Sequence, residues 1–349
     1  MIVAVWERLD GPVTFRLPLR GVAILAGLSA GIVAVMAVSL MSGSFPLDLR
    51  GVLASLFSEA PSDTAETVVW EFRFPRTLAA FMTGALFALS GAILQNVTRN
   101  PLADPSLVGV SQGAGFAVVA IIIAFPDVNI AWRPVFAFAG ALAVAALIQW
   151  IAMQRTGGAT MRFILTGIGV AAFISAGTNA LLTYGDIDRA LAALGWLAGS
   201  IHAAGWGDVR SLVVCLVVMI PALIWASRPM GALRFGPEVA TGFGVAVRRD
   251  RLVLITLSVA LAAFAVAAVG PLGFIGLVAP HIARRLARTG VGLHLALSAA
   301  TGALMVGFAD LLGRTLFAPV QIPAGLVTAV IGVPVFVALI LRSQARSQL

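Results

Sequence analysis

Residues 73–115, RFPRTLAAFMTGALFALSGAILQNVTRNPLADPSLVGVSQGAG, decide how the rest of the chain is read. Two arginines, Arg73 and Arg76, open an apolar run that continues to Gln95 and Asn96. About 20 apolar residues suffice to cross the ~30 Å hydrocarbon core of a bilayer, so 76–95 reads as one membrane crossing. The polar, proline-broken run RNPLADP (99–105) follows at once. Charge at one end, a shaft of small residues and an amide-bearing, kinked end give this segment the build of one wall of a membrane passage.

The composition around it sets the class. Of 349 residues 60% are hydrophobic and 11% charged, and the mean hydropathy is +1.01. Too few charges are present to cover a soluble domain of this size, so the chain is expected to be a single all-α polytopic membrane protein. Apolar runs between polar breaks give ten crossings, near 21–41, 76–95, 107–125, 134–153, 163–183, 208–226, 252–269, 274–284, 293–312 and 324–341. Residues 1–20 are expected to form a polar tail and 21–342 the ten-helix bundle. The eighth segment, GPLGFIGLVAPH, is too short and too broken by glycine and proline to span alone as a regular helix. Such backbone is tolerated at membrane depth only when buried in protein or lining a wet cavity.

Arginine sets the orientation. All 23 basic residues are arginine. With ten crossings both termini share a side, and that side collects sixteen of them. Arg50, Arg73, Arg76, Arg133, Arg189, Arg210 and Arg314 fall opposite. Arginine-rich short loops stay in the cytoplasm, so both termini are predicted inside a bacterial cytoplasmic (inner) membrane. The +8 net charge is explained by these loops and calls for no nucleic-acid partner. The 36 glycines suit close helix packing in lipid.

Several chemistries are missing from the sequence. A chain without lysine cannot carry the GxxxxGK[ST] phosphate loop, so any ATP must be bound by a partner. There is no HExxH, no clustered Cys/His set and no plausible serine triad, which argues against an enzyme and against a cofactor or metal. The single Cys215 lies in an apolar run. Ionisable residues are scarce within the shafts, which disfavours a gradient-driven secondary transporter. His281, alone in its segment, reads as structural.

Two further features suggest function. The largest inner loop, 228–249, mixes apolar residues with glycines and suits two very short helices around a tight turn, either offering an apolar knob to a partner or lying on membrane lipids. On the fifth crossing, Ser175, Asn179 and Thr183 recur every four residues and form a polar stripe, able to line a passage or to bond neighbouring helices.

The motifs RFPRTLAAFMTGALFALSGAILQ, RNPLADPSLVGVSQGAG, GPLGFIGLVAPHIARR (270–285), ADLLGR (309–314) and QIPAGLVTAVIGVPVF (321–336) stand in an order that resembles the permease subunits of type II ABC importers, the FecCD family, over roughly Gly21 to Arg342. The resemblance implies ten helices with both ends cytoplasmic, a second permease subunit (identical or sibling), two ATP-binding subunits below and a periplasmic substrate-binding protein above. It implies that Arg73, Arg76 and Arg314 form an outer rim that docks the binding protein. It places Leu233, Phe235, Gly236, Ala240, Gly242 and Gly244 at the contact with the ATPase. It implies that Ser175, Asn179 and Thr183 line the pathway, with Gln95, Asn96 and Asn100 at its inner end. The expected cargo is an iron(III)–siderophore, with haem or cobalamin as the alternative.

Overall fold

A computed structural model of the chain describes residues 3–8, 11–16, 18–43, 45–57, 62–153 and 159–347. Arg155, one of the arginines used for the orientation, lies outside the described residues. A short antiparallel hairpin comes first, β1 (Val3–Arg8) paired with β2 (Gly11–Arg16) from Val3↔Arg16 to Arg8↔Gly11. The segment expected to be a polar tail thus carries local structure, and among the described residues every regular element after it is a helix.

The helices in chain order are α1 (Leu19–Met41), α2 (Leu49–Leu56), α3 (Asp63–Thr67), α4 (Phe74–Thr98), α5 (Val110–Ala124), α6 (Arg133–Met153), α7 (Ala159–Tyr184), α8 (Ile187–Leu197), α9 (Trp206–Leu233), α10 (Pro237–Gly242), α11 (Val247–Val269), α12 (Ile275–Leu286), α13 (Val291–Thr315) and α14 (Ala324–Ser347). Each of the ten expected crossings is occupied by one of these. Among the described residues seven stretches are long and apolar enough to cross a membrane by themselves: those of α1, α4, α6, α7, α9, α11 and α13. The helices α5, α12 and the apolar part of α14 are shorter. The protein is therefore a multi-pass membrane protein.

The helices not expected from hydropathy, α2, α3 and α8, are short and polar-capped. Asp48 Oδ1 accepts from Gly51 N at 2.8 Å, Ser62 Oγ from Ala65 N at 3.2 Å, and Asp186 Oδ1 from the amides of Asp188 and Arg189. These contacts satisfy first-turn amides that have no partner within the helix. Hydropathy is blind to them. A π-helical turn, Val68–Arg73, joins α3 to α4 without a break.

The helix opening the decisive stretch, α4, is the hub. Of its 25 residues, only Phe74, Leu78, Met82 and Ala85 escape full burial, the pattern of a helix apolar on all sides and surrounded by others. Its backbone touches its neighbours almost directly. A Cβ at Gly84 would fall on the Gly302 carbonyl of α13, and one at Gly91 on the Gly276 carbonyl of α12. In lipid, where apolar surface gains little by leaving the solvent, such close approach is a main source of helix association. A reciprocal polar clasp ties α4 to α11: the Ser90 and Ser258 hydroxyls lie 2.9 Å apart, Ser90 Oγ donates to Ser258 O at 2.6 Å, and Ser258 Oγ approaches Ser90 O at 2.9 Å.

The broken eighth segment behaves as its composition demands. Twelve residues of α12 rise only ~18 Å, too little to cross alone. Its irregular entrance is clasped by protein. Ser200 N donates to Val269 O and Gly325 N to Gly199 O, both at 2.9 Å. Phe274 begins α12 with φ +68°, its ring 6.3 Å from that of Phe336 on α14.

Candidate functional site

The bundle has two polar ends. At one, the end of α1, the start of α4 and the end of α13 meet, and Arg73, Arg76 and Arg314 come together as the sequence led us to expect. They do not, however, form an open rim. Arg73 is 6% exposed, Arg76 8% and Arg314 8%. Arg76 clasps Asp310 with Nε at 3.0 and 3.1 Å and Nη2 at 2.8 Å, a fork-to-fork geometry suited to guanidinium and carboxylate. Its Nη1 also donates to Gln321 Oε1 at 2.8 Å and lies 3.1 Å from His202 Nδ1.

Arg73 Nη1 donates to the carbonyls of Leu40 (2.7 Å) and Met41 (3.2 Å), and its Nη2 to Phe45 O. It thereby caps the C-terminal carbonyls of α1, which have no intrahelical partners. Gly43, at φ +147°, leaves the room: a Cβ there would stand 2.8 Å from the Arg73 guanidinium. Arg314 Nη2 donates to Ser39 O and Oγ, and Ser39 Oγ lies 2.8 Å from Thr77 Oγ1 of α4.

The three guanidiniums are braced within the chain itself. A buried guanidinium committed to carbonyls or to a buried carboxylate is a strut, and it cannot be offered to an incoming partner without breaking its own bonds. The sequence missed the partners of these arginines, although Asp310 and Arg314 share one motif and Gln321 opens the next. An aromatic trio stands beside the struts. The Trp70 and Trp206 rings stack at 5.9 Å, with Phe74 edge-on to Trp70 at 5.4 Å. Trp206 Nε1 donates to Trp70 O at 2.8 Å. Such rings suit a membrane–water boundary.

At the opposite end α9 runs to Leu233, past the expected limit near 226, and the expected pair of tiny helices becomes its last turn plus α10. Gly236 (φ +107°) makes the corner before Pro237 at the first position of α10. Gly244 (φ +76°) closes it, with Gly244 N donating to Thr241 O at 2.9 Å and Val245 N to Ala240 O at 3.0 Å. These are the paired bonds of a glycine-terminated helix end. Leu233 and Ala240 are buried in the main core rather than presented outward, so they hold the loop down. The outward apolar surface is Phe235, 71% exposed, with Val239 and with Phe243, 72% exposed. Gly242 and Gly244 lie on this surface. Beneath it lies a groove of about 480 Å³ lined by Trp225, Phe235 and Phe243 among others.

The polar stripe of α7 lies on a surface the chain itself does not cover. Ser175 is half-buried, and Asn179 and Thr183 are exposed. Gln95 and Asn96 line a cavity of about 540 Å³ at this end and are also bonded to their neighbours. Gln95 Nε2 donates to the carbonyls of Gly276 and Leu277 at 3.3 and 3.1 Å. The Asn96 amide, in the orientation its neighbours require, donates to Met230 O and accepts from Arg234 Nε, both at 3.1 Å. Asn100 forms a turn, its Oδ1 accepting from Leu102 N at 2.9 Å. Gln95 and Asn96 thus brace α4 against α12 and α9, while Asn100 shapes the loop that follows.

Comparison with known proteins agrees with this architecture. The model of the FecCD transport family matches residues 14–342. The chain is 39% identical over 327 residues to a Bacillus subtilis (strain 168) protein described as a siderophore transport system permease, YfhA, covering 92% of this chain and 94% of that one. It is 37% identical over 315 residues to the achromobactin transport system permease protein CbrC of Dickeya dadantii (strain 3937), covering 90% and 89%. A solved structure described as an inward-facing metal-chelate type ABC transporter superposes with a TM-score of 0.80 at 26% identity, covering 92% of this chain and 99% of that one. The chain belongs to the FecCD transport family.

Proposed function

We propose that this chain is the permease subunit of an ATP-driven importer that moves an iron(III)–siderophore complex from the outer face of the membrane to the cytoplasm. The observation that carries the reading is the end-to-end likeness to permeases named for siderophore transport. The chain is the non-catalytic, membrane-spanning part. ATP is bound and hydrolysed by a partner, in keeping with the absence of lysine and hence of a phosphate loop.

In this reading two copies, or this chain and a sibling, enclose the passage with the uncovered stripe of Ser175, Asn179 and Thr183 facing it. The exposed Phe235, Val239 and Phe243 sit in a cleft of the ATPase, and the rigid Gly236–Gly244 corner transmits its closure to α9 and α11. Alternating access then follows as rigid-body movement of packed helices. A binding protein docks at the Arg73–Arg76–Arg314 end, on surface held in shape by those struts. Ten crossings with both termini inside complete the topology.

Radio-iron uptake by cells carrying or lacking the gene, with hydroxamate, catecholate and carboxylate siderophores offered singly, tests the cargo. Uptake of one ferric siderophore lost with the gene and restored by it is expected. Unchanged uptake of every ferric chelate, with haem or cobalamin uptake lost instead, would replace the cargo assignment.

A further inference from the structure

The end of the bundle that carries α10 holds a second feature, independent of the cargo. A cavity of about 540 Å³ opens where the end of α4, the loop after it, the end of α9, α12 and the start of α13 converge. Arg99, Arg234, Arg284 and Arg288 line it, and no carboxylate does. Among the described residues none of the four is within ion-pair reach of an acidic side chain. They come from three separate segments, the ends of α4 and α9 and the run Arg284–Arg288 at the end of α12, so the convergence is a product of the fold. Arg99 is aimed by backbone: it closes α4 in the left-handed region at φ 54°, which few non-glycine residues adopt.

The floor of the cavity is polar and unsatisfied. His294, 3% exposed, lines it with Nε2 unpartnered, and the buried Thr289 hydroxyl beside it has no partner either. Buried polar atoms are nearly always hydrogen-bonded, so these two open positions, with Gln95 Oε1 on the same lining, point to an occupant of the cavity. Planar guanidiniums match phosphate oxygens in fork geometry.

We propose that this cavity is a binding site for a phosphate-type oxyanion, held by Arg234, Arg284, Arg288 and Arg99 and bonded at its base by His294 and Thr289. Two sources share this chemistry, the phosphodiester headgroup of an anionic phospholipid in the cytoplasmic leaflet and free inorganic phosphate.

The assembled importer, purified in mild detergent, distinguishes them. Native mass spectrometry reads co-purifying lipids, and equilibrium binding of radiolabelled phosphate at constant ionic strength reads the free anion. The double variant R234Q/R284Q is compared with wild type, with R234K/R284K, which keeps the charge, and with R285Q, an exposed neighbour outside the cavity. At ~1 kcal/mol per basic residue near an anionic headgroup, two lost charges reduce occupancy by about tenfold or more. The headgroup source gives enrichment of phosphatidylglycerol or cardiolipin over phosphatidylethanolamine, lost in R234Q/R284Q, largely kept in R234K/R284K and unchanged in R285Q. The free-anion source gives the same ranking in saturable phosphate binding. Should R234Q/R284Q fail to assemble, R288Q alone is expected to lower occupancy severalfold. Neither enrichment nor saturable binding in the wild type, or an equal loss in R285Q, would overturn the proposal. So would release of the ATPase from R234Q/R284Q without any anion bound to wild type, which would make the cavity a protein contact.

Discussion

The buried pair Arg76–Asp310 separates a strut from a docking residue. Three contacts of 2.8 to 3.1 Å join the two side chains, Asp310 is 2% exposed, and Arg76 adds a bond to Gln321 at 2.8 Å. Replacing Arg76 by methionine keeps much of the side-chain volume but leaves a buried carboxylate without its cation, a change costing about 3–5 kcal/mol. That is a large share of the 5–15 kcal/mol typical of a folded domain. Removing both charges, as in Arg76→Met with Asp310→Leu, abolishes the stranded ion and recovers most of the loss. What remains is the bond to Gln321 and the contact with His202, about 1–3 kcal/mol together. Read by denaturant or thermal unfolding of the purified complex, the double variant should therefore be about 2 kcal/mol more stable than Arg76→Met alone. Binding-protein affinity is titrated in parallel on the same samples. The double variant is expected to bind nearly as well as wild type. If Arg76→Met unfolds like wild type while its affinity for the binding protein falls tenfold or more, the strut reasoning is wrong and the arginine is a docking residue after all.

Three other outcomes are expected. Gly91→Val drives a side chain into the Gly276 carbonyl, so α4 and α12 must separate, and folded yield should drop with a destabilisation of about 2 kcal/mol or more; a wild-type melting curve would show that the contact yields freely. Phe235→Ala with Phe243→Ala removes exposed rings, leaving the stability of the permease within about 0.5 kcal/mol of wild type. Transport-coupled ATP hydrolysis should nonetheless fall by about tenfold or more; unaltered coupling would remove the loop from the ATPase contact. Asn179→Cys and Thr183→Cys should react with a membrane-impermeant, polar thiol reagent over a background kept low by the burial of Cys215. Labelling no faster than that of a cysteine at Phe173, which is also exposed on α7, would turn the stripe from the passage towards lipid.

The apolar segments were legible because hydropathy over twenty residues is a strong, local signal, and each expected crossing is occupied by a helix. The short helices were not, because they depend on single caps such as Asp48, Ser62 and Asp186, whose effect hydropathy averages away. The hairpin went unread although Asp10–Gly11 is a common hairpin dipeptide. At the site, the clustering of Arg73, Arg76 and Arg314 was implied by the family resemblance, but their burial was not. Exposure depends on partners far along the chain: Asp310 lies 234 residues from Arg76, and Ser39 lies 275 from Arg314. The bonds of Gln95 and Asn96 to neighbouring helices went unread for the same reason, since an amide at a helix end reads alike whether or not it also meets a neighbouring carbonyl. The basic cavity could have been anticipated from the arginine excess at the inner end, which was used only to orient the chain.

The central claim is import of an iron(III)–siderophore powered by a partner's ATP, and one measurement tests it directly. The permease is reconstituted into liposomes with its ATPase, the binding protein is supplied on one face with ⁵⁵Fe–siderophore, and ATP on the other. We expect accumulation that needs ATP and the binding protein, stops with vanadate and ignores a protonophore. Accumulation that persists under vanadate and collapses with the protonophore would contradict the account and make the chain a gradient-driven transporter.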